Sequence, residues 1–388
     1  MNASRHILRT AARSAARRST ASASRAAARP MSTLLSGPTV APRLAAATPS
    51  QLARGIRTLN FGGTEEVVYE RSDWPAEKLQ SYFKNDTFTV LGYGSQGYAQ
   101  SLNMRDQGMN VIIGVRKDGT SWKEAQQDGW VPGKTLFTVE EAVEKGTIIM
   151  NLLSDAAQTE TWPTLSKLLK PHHTLYFSHG FSIVFNKDTG ITAPKDVDVI
   201  LCAPKGSGRT VRSLFKEGKG INSSVAVFQD ISGKALEKAV ATGIAVGSGY
   251  IYETTFEKEV YSDLYGERGC LMGAAQGMFA AQYNVLRKNG HSPSEAFNET
   301  CEEALCSLYP LVAEHGMDYM YKACSTTARR GALDWAPEFE KALTPVFEKL
   351  YASVRDGTET RRALEFGARP TYRQDYDKET DAIADQEM

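Results

Sequence analysis

The feature that most constrains this 388-residue chain is a string of glycines between an apolar segment and a helical one. Gly92, Gly94 and Gly97 form a G-x-G-x-x-G pattern that follows a predicted strand over 87–91 and opens a helix ending at Gly108. Glycines there permit a tight turn and let the helix N-terminus approach a pyrophosphate. This context predicts a dinucleotide site rather than an ordinary tight turn. Its loop comprises Gly92, Tyr93, Gly94, Ser95, Gln96 and Gly97.

Short apolar runs alternate with helical patterns from residue 86 onward, which predicts β-α units and a parallel sheet. From about Tyr250 long amphipathic segments replace the alternation, with Gly290 and Gly316 as helix stops. We therefore expect an α/β fold, a Rossmann-like doubly wound sheet followed by an all-helical domain. Further strands are predicted over 110–115, 147–152, 174–178, 197–201 and 224–228, and the domains over 59–249 and 250–370, with a polar tail over 371–388.

The start of the chain differs in composition from everything after it. Residues 1–57 hold ten Arg, no Lys, fifteen Ala, thirteen Ser or Thr and no acidic residue, and the first carboxylate is Glu65. An Arg-rich, Ser-rich start without acids is typical of organellar transit peptides. We predict that residues 1–58 are a mitochondrial or chloroplast transit peptide. A disordered arm that binds nucleic acid is the alternative.

The formal net charge of zero hides an acidic body. Without the ten arginines of its start, the chain keeps 35 basic against 45 acidic residues, a formal charge of about −10. Such a body is not expected to bind nucleic acid. No apolar run reaches the roughly 18 residues of a membrane helix, so no span is predicted. The five cysteines are odd in number and lack zinc spacing, which argues against a disulfide framework.

The end of the second predicted strand bears on the choice of nucleotide. A site for NAD is expected to place Asp or Glu there to accept the ribose hydroxyl, but this strand ends with Arg116 and Lys117. A guanidinium suits a 2′-phosphate, so Arg116 predicts NADPH, with Ser121 as a further phosphate ligand. A solvated basic turn is the alternative.

Polar residues follow three other predicted strands. Ligands of open α/β sheets lie beyond the carboxyl ends of the strands, where Ser154, Asp155, His179 and Lys205 fall. A single His or Lys in such a place is often only capped or solvated. Because both occur beside the expected nicotinamide pocket, we take His179 and Lys205 as candidate catalytic residues, and Ser154, Asp155 and His179 as candidate cofactor contacts.

Two pairs of carboxylates, each four residues apart, lie on predicted helices of the second domain. Asp263 and Glu267 form the first pair, and Glu299 and Glu303 form the second. A spacing of four places each pair on one helix face, where like charges cost a few tenths of a kcal/mol. Solvated faces are one interpretation. The other is an oxygen-only site for Mg²⁺, with two ions and water completing their coordination.

These motifs together resemble the ketol-acid reductoisomerase family, and its fungal mitochondrial members most. The resemblance implies that residues 1–58 are a mitochondrial transit peptide and that the mature protein lies in the matrix. The resemblance spans about residues 60–370. It implies Mg²⁺-dependent alkyl migration and NADPH reduction of 2-acetolactate or 2-aceto-2-hydroxybutyrate, in valine and isoleucine biosynthesis. The motifs are the glycine loop, Phe177-Ser178-His179-Gly180-Phe181, Ala203-Pro204-Lys205-Gly206, Thr210-Val211-Arg212-Ser213, Ser262-Asp263-Leu264-Tyr265-Gly266-Glu267 and Cys324-Ser325-Thr326-Thr327.

The resemblance also implies roles for the acidic residues. Asp263 resembles the carboxylate that bridges two Mg²⁺ ions, and Glu267 resembles the second ligand on that helix. Glu299 and Glu303 resemble the pair that reaches in from another subunit, and Ser325 resembles the residue that binds the substrate carboxylate. The family implies a knotted helical domain. With room for a single helical domain, the chain is expected to form a homodimer or a higher homo-oligomer.

Two other functions remain open from the sequence. A metal-free NADP-dependent 3-hydroxy-acid dehydrogenase also joins a Rossmann domain to helices, but it leaves the four carboxylates unexplained. A helical scaffold or nucleic-acid packaging protein would use the basic arm, against which the acidic body argues. Among the acid–base candidates, His179 and Lys205 match polar active-site residues of the resembled family, and the lysine is expected to help move protons.

Overall fold

The computed structural model describes residues 57–384, and the predicted transit peptide therefore lies almost wholly outside the described residues. Ten strands form one sheet. The strands are β1 (Arg57–Phe61), β2 (Thr64–Glu70), β3 (Phe88–Leu91), β4 (Val111–Gly114), β5 (Leu136–Phe137), β6 (Ile148–Asn151), β7 (Thr174–Phe177), β8 (Asp198–Pro204), β9 (Ile221–Gln229) and β10 (Ser248–Glu253).

Helices fall between the strands and fill the second half of the described chain. The first half holds α1 (Ala76–Tyr82), α2 (Ser95–Asp106), α3 (Thr120–Gln127), α4 (Val139–Lys145), α5 (Asp155–Leu168), α6 (Phe181–Val184), α7 (Asn186–Thr189), α8 (Gly208–Lys216) and α9 (Ala235–Ala245). The second half holds α10 (Phe256–Gly266), α11 (Gly273–Lys288), α12 (Pro293–Phe297), α13 (Tyr309–His315), α14 (Met317–Ala323), α15 (Thr326–Arg355), α16 (Thr358–Gly367) and α17 (Tyr372–Ala384).

The strand order is β1-β2-β10-β9-β8-β7-β6-β3-β4-β5. All six predicted strands are present, within a few residues of the predicted limits. The predicted parallel sheet is confirmed for β3 to β8, but the whole sheet is mixed, because β1–β2, β2–β10 and β8–β9 pair antiparallel. Alternating apolar runs mark strands but do not fix their direction, which depends on the edge of the sheet where each connection ends.

The connection between β8 and β9 explains why β9 runs back along β8. After α8 the chain turns through Gly218 and Gly220, whose φ angles are +80° and +73°. Gly220 packs so closely on Gly249 that a Cβ atom at position 220 would lie 2.5 Å from the Gly249 nitrogen. The first residues of β9 therefore lie beside the last residues of β8, with Ser223 opposite Pro204.

The central strands are buried on both faces, as a doubly wound sheet requires. In β8, Ile200 and Cys202 pack on one face with α2, α3 and α9, while Val199 and Leu201 pack on the other with α4 and α5. An apolar core therefore lies on each face of the sheet.

The helical region that follows the sheet is much more exposed. It contains π-helical turns at Glu267–Leu271, Asn298–Glu302 and Ala304–Leu308. Within residues 57–384 no helix combines the length and the apolar character needed to cross a membrane. Several large apolar side chains of this region are each at least 59% exposed: Leu271, Met272, Val285, Met317, Trp335, Phe339 and Val346.

Candidate active site

The glycine loop between β3 and α2 is shaped by two close backbone approaches. Gly92 has φ +92°, and a Cβ atom there would lie 2.8 Å from the Leu152 carbonyl oxygen. A Cβ atom at Gly97 would lie 2.2 Å from the Gly92 carbonyl oxygen, whereas one at Gly94 would meet nothing within 4 Å. The outer glycines therefore close the turn and seat the helix, and Gly94 leaves open space where a pyrophosphate would approach.

Side chains of this loop point in different directions. Tyr93 is 4% exposed, and its hydroxyl donates to Asp128 and accepts from the Trp130 indole. It therefore belongs to the core, and only its backbone faces the loop. Ser95 and Gln96 instead reach the segment after β8.

Two hydrogen bonds join the glycine loop to the segment that carries Lys205. The Gly208 N–H donates to Ser95 Oγ at 3.0 Å, and the Gln96 amide donates to the Gly206 carbonyl at 3.0 Å. A Cβ atom at Gly208 would lie 1.8 Å from the Ser95 carbonyl oxygen. The expected nucleotide loop and the lysine segment are thus held against each other.

Helix α2 continues this connection with buried polar side chains. Gln100, which is fully buried, donates to Ser178 Oγ at 2.7 Å and accepts from the Tyr176 hydroxyl at 3.0 Å. Asn103, also fully buried, donates to the Val246 carbonyl at 2.9 Å and accepts from Arg212 at 2.8 Å. The Gln100 bonds fix α2 against the strand that precedes His179, and the Asn103 bonds fix it to α8 and to the residue after α9.

The predicted 2′-phosphate residues lie at the end of β4. Arg116 is exposed in the turn after this strand, where the Gly119 N–H donates to its carbonyl oxygen at 3.2 Å. Ser121 is half-buried in the first turn of α3. Ser154 is exposed and is the N-cap residue of α5, whose first residue is Asp155.

A buried carboxylate joins the two strand-end candidates. Glu259, 2% exposed on α10, lies 2.9 Å from Lys205 Nζ through Oε1 and 3.3 Å from His179 Nδ1 through Oε2. The Gly180 N–H also donates to Oε2 at 3.4 Å. Asp263 lies one turn further along the helix, 3.2 Å from His179 Nδ1 and 3.9 Å from Lys205 Nζ. His179 and Lys205 therefore meet two carboxylates on one helix face.

These contacts set the charges of the cluster. Burial lowers the pKa of His179, but the Glu259 carboxylate, with Asp263 and Asp155, outweighs it and raises the pKa to about 9. Burial likewise lowers the pKa of Lys205, and Glu259 more than reverses the effect. For Glu259, burial raises the pKa but His179 and Lys205 lower it below its ordinary value. The histidine and lysine are cations at neutral pH, and Glu259 is an anion.

For three other carboxyl groups near His179, the neighbouring cations do not outweigh the effect of burial on the pKa. Burial raises the pKa of Asp263, and the Glu259 charge adds to this effect while His179 opposes it. Burial also raises the pKa of Glu267, with a further contribution from Asp263. Burial raises the pKa of Asp155, and here too the charge of His179 opposes the rise. Three carboxyl groups are therefore held where additional positive charge would stabilise their ionised forms.

The structure brings together only part of the predicted metal set. Within residues 57–384, the side chains whose ligand atoms lie within 4.8 Å of one another are His179, Glu259 and Asp263. Glu299 and Glu303 are exposed and do not belong to this group. Ser325 is exposed and is the N-cap residue of α15, accepting from the Ala328 N–H.

Three of the four predicted metal carboxylates lie at π-helical turns. Glu267 begins one such turn, Glu299 lies inside the next, and Glu303 is the residue between that turn and a third. Turns of this kind are rare and often occur at functional sites, because they rotate side chains relative to a regular helix.

Sequence reasoning missed Glu259. A signal was available, because Glu259, Asp263 and Glu267 continue a spacing of four along one helix face. A third acidic residue on a face that already carries two is poorly explained by solvation alone, since like charges at this spacing repel.

Comparison with known proteins decides the family. Residues 82–251 match the domain family described as "Acetohydroxy acid isomeroreductase, NADPH-binding domain", and residues 256–388 match "Ketol-acid reductoisomerase, C-terminal domain". The chain belongs to the ketol-acid reductoisomerase family.

Individual relatives agree. The chain is 68% identical to the mitochondrial ketol-acid reductoisomerase of Saccharomyces cerevisiae over 340 residues, 88% of this chain and 86% of that protein. It is 66% identical to the mitochondrial ketol-acid reductoisomerase of Neurospora crassa over 349 residues, 90% and 87% of the two chains. An NADH-preferring ketol-acid reductoisomerase from an uncultured archean has a similar structure, with TM-score 0.71, 30% identity, and coverage of 82% and 95%.

The family assignment confirms the resemblance and the order of the two folds, a Rossmann-like nucleotide domain followed by helices. It identifies the chain as an oxidoreductase of the ketol-acid reductoisomerase type. The metal-free 3-hydroxy-acid dehydrogenase is not favoured, because both halves match ketol-acid reductoisomerase domains.

Proposed function

We propose that this ketol-acid reductoisomerase converts 2-acetolactate and 2-aceto-2-hydroxybutyrate to 2,3-dihydroxy-3-methyl acids, with NADPH and Mg²⁺, in valine and isoleucine biosynthesis. The observation that carries the proposal is the meeting of His179 and Lys205, from two strand ends, with Glu259 and Asp263 on one helix. This cluster lies against the glycine loop, so acid–base groups and a hydride donor would share one cleft.

The chemistry of the donor set fits Mg²⁺. Glu259 is already neutralised by His179 and Lys205, but Asp263 and Glu267 are carboxylates whose pKa values burial raises. Hard oxygen ligands with uncompensated charge suit a divalent cation that keeps water ligands. We assign Mg²⁺ to Asp263 and Glu267, completed by Glu299 and Glu303.

Lys205 and Glu259 transfer protons during the reaction, and Ser325 holds the substrate. When bound, Mg²⁺ polarises a ketone oxygen and stabilises an alkoxide. The alkyl shift releases a proton from the substrate hydroxyl and requires one at the new alkoxide. Lys205 Nζ, held protonated by Glu259, donates its proton to the alkoxide oxygen, and the Glu259 carboxylate 2.9 Å away accepts the proton that the substrate hydroxyl releases and returns it to the lysine amine. Ser325 binds the substrate carboxylate.

The nucleotide specificity rests on Arg116. The nucleotide half matches an NADPH-binding domain, and Arg116 is exposed after β4 with its guanidinium free to reach a 2′-phosphate. Ser121, in the first turn of the next helix, adds a hydroxyl on the same side. When bound, NADPH supplies the hydride that reduces the rearranged 2-keto acid.

We further infer a homodimer in which each site is completed by the second copy. Glu299 and Glu303 are exposed and lie outside the cluster around Asp263. The same helical region exposes many large apolar side chains, including Trp335 at 63% and Phe339 at 61%. Exposed apolar surface of this extent is typical of protein interfaces. A two-fold partner would cover it and present its own Glu299 and Glu303.

Import into the mitochondrial matrix follows from the relatives and the basic arm. Both fungal relatives are named mitochondrial, and the arm has the composition of a transit peptide. We move the expected end of the transit peptide from residue 58 to the residue before Arg57, because cleavage there would leave β1 whole, including the contact between Arg57 and Glu70 at 2.6 Å. A fusion of residues 1–60 to a soluble reporter should be imported and shortened. A reporter that stays full length in the cytosol would contradict this role.

One assay tests the reaction. NADPH oxidation is followed with 2-acetolactate, with and without Mg²⁺, for the wild type, Glu267→Gln and the exposed control Glu257→Gln on the same stretch. We expect turnover that needs both substrate and Mg²⁺, loss in Glu267→Gln and retention in the control. Turnover that survives complete EDTA treatment would contradict the proposal and favour a metal-free dehydrogenase.

A further inference from the structure

A second cleft lies away from the cluster of His179 and Lys205. It has a volume of about 560 Å³ and lies where the last turn of α2 meets α8 and the segment between β2 and α1. Its walls combine two aromatic side chains, Trp74 and Phe215, with two guanidinium groups, those of Arg71 and Arg105. The cleft is thus both apolar and positively charged, on a body whose formal charge is negative.

Arg71 is the unusual member of this cleft. Its guanidinium carbon lies 4.8 Å from the centre of the Phe215 ring. Its Nη1 atom is sealed from solvent and has no hydrogen-bond partner among residues 57–384. Burial alone lowers the pKa of Arg71, with no neighbouring carboxylate to oppose it. The side chain has therefore lost part of its hydration without gaining an acceptor, which is unfavourable for a cation.

The acceptors around Arg71 already have donors. The Asp106 carboxylate binds Arg212 at 2.6 Å, and the Gln107 carbonyl accepts from Gln80 at 3.0 Å. The second guanidinium, Arg105, donates to the Asp128 carbonyl and lies over the Trp130 ring. Among the described residues, the lining of the cleft contains two guanidinium groups and one carboxylate, which already binds Arg212. Arg71 borders the open space of the cleft.

We propose that this cleft is a binding site for a small organic anion, with a carboxylate or phosphate group on Arg71 and an apolar group between Trp74 and Phe215. Arginine binds both anions through paired N–H groups, and such charge-assisted bonds are the strong ones. The aromatic walls supply the apolar contact that a mineral ion alone would not use.

The site is separate from the active-site cleft. Helix α2 begins at the glycine loop with Ser95 and ends in the second cleft near Gln107, and twelve residues of helix span about 18 Å. Helix α8 likewise begins beside Ser95 at Gly208 and brings Phe215 into the second cleft. An anion on Arg71 would therefore bind without entering the nucleotide loop.

Calorimetric titration of the purified enzyme with benzoate tests the proposal, with NADPH and Mg²⁺ saturating so that the active site is occupied. Benzamide removes the charge of the probe, and inorganic phosphate and phenyl phosphate separate the anion from its apolar group. We expect saturable binding of benzoate or phenyl phosphate, weaker binding of inorganic phosphate and none of benzamide. Arg71→Gln should raise the Kd at least about tenfold, the loss of one charge-assisted contact.

Two further variants serve as a control outside the cleft and as a second change in its wall. Arg369→Gln also removes a guanidinium that stacks on a phenylalanine, Phe366 at 5.0 Å, but outside the cleft, and should leave the Kd unchanged. Gln80→Glu places a carboxylate at an exposed wall of the cleft and should weaken binding even if Arg71→Gln folds poorly. Binding of benzoate that is seen only without NADPH and Mg²⁺, no saturable binding of any probe, or equal binding to wild type, Arg71→Gln and Gln80→Glu would each overturn the proposal.

Discussion

Glu259 Oε1 lies 2.9 Å from Lys205 Nζ, and this contact joins the residue after β8 to the first turn of α10. A buried carboxylate of this kind is stable only when cations surround it. Here two cations do so, because His179 approaches the other carboxylate oxygen at 3.3 Å. The charge state of the whole cluster therefore depends on Glu259, which leads to the first prediction.

Replacing Glu259 with Gln should lower the pKa of His179 in the metal-free protein. The pKa is about 9 with Glu259 in place, because this carboxylate outweighs the effect of burial. The measurement is an NMR titration of the histidine ring, assigned with His179→Gln. Glu257→Gln, on the exposed side of the same helix, is the control and should leave the pKa unchanged. A pKa of His179 that is the same in Glu259→Gln would show that another group holds the proton.

Replacing two glycines of the nucleotide loop with alanine should have different effects, one on stability and the other on cofactor binding. Gly97→Ala brings a Cβ atom to within 2.2 Å of the Gly92 carbonyl, so we expect a loss of about 1–3 kcal/mol of unfolding free energy. Gly94→Ala meets no atom within 4 Å and should keep the wild-type melting temperature but bind NADPH more weakly. Calorimetry and cofactor titration measure both effects. Normal NADPH affinity in a folded Gly94→Ala protein would place the pyrophosphate elsewhere.

Arg116→Ala should raise the KM for NADPH about tenfold or more and leave that for NADH little changed. Only NADPH loses a charge-assisted contact with its 2′-phosphate, worth about 1.5–3 kcal/mol. Steady-state kinetics with both cofactors make the comparison, and Lys117→Ala tests whether the neighbouring cation contributes. Equal effects of Arg116→Ala on the two cofactors would rule out this selective role.

The Asp263→Asn and Glu303→Gln proteins should each be inactive when pure. A mixture of the two proteins that forms mixed dimers should regain activity. If each site takes Asp263 from one subunit and Glu303 from the other, a mixed dimer has one doubly altered site and one intact site. Random assembly of equal amounts should restore about a quarter of the wild-type activity. Mixed dimers seen by native mass spectrometry without recovered turnover would mean that all ligands come from one chain.

Asp198 should stabilise the fold in a pH-dependent way. Burial raises the pKa of Asp198, but hydrogen bonds from Ser232, the Ile231 N–H and Lys238 outweigh it and hold the pKa below its ordinary value. A lowered folded-state pKa contributes stability above the unfolded value of about 3.9, and this contribution is lost as pH falls through the folded value. Asp198→Asn should therefore cost most at pH 5–7 and progressively less below about pH 4.

Urea unfolding at several pH values measures that difference. The exposed Asp196→Asn, two residues earlier, is the matched control and should change stability little at any pH. A destabilisation by Asp198→Asn that is as large at pH 3 as at pH 7 would show that the negative charge of Asp198 does not stabilise the fold.

Local sequence patterns were sufficient for the nucleotide loop and the central strands. The glycine spacing between a strand and a helix matches the tight turn that a pyrophosphate needs, and β3 to β8 are short apolar runs buried on both faces. The strands at the β1 end of the sheet were not predictable in the same way. Strand β2 carries acidic residues at its exposed start, and its place beside β10 depends on pairing across about 180 residues of sequence.

The same limit applies to the site. Strand ends identified His179 and Lys205 because the carboxyl edge of a sheet is a general position for ligands. Glu259 escaped notice because a single Glu on an amphipathic helix usually faces water, and its burial results from the way α10 folds back over the end of the sheet. The π-helical turns at Glu267 and Glu299 follow no residue pattern that we can name.

Helix α2 restricts how this protein can change over evolution. Gln100 and Asn103 each bridge partners from other elements, Ser178 and Tyr176 for the first, Val246 and Arg212 for the second. Losing either side chain leaves several buried polar groups without a hydrogen-bond partner, whereas replacing the whole set can leave the stability of the fold nearly unchanged. Substitutions of Gln100 should therefore occur together with changes at Tyr176 or Ser178, and substitutions of Asn103 together with changes at Arg212 on α8, so a reconstructed ancestor should differ at both members of such a set or at neither.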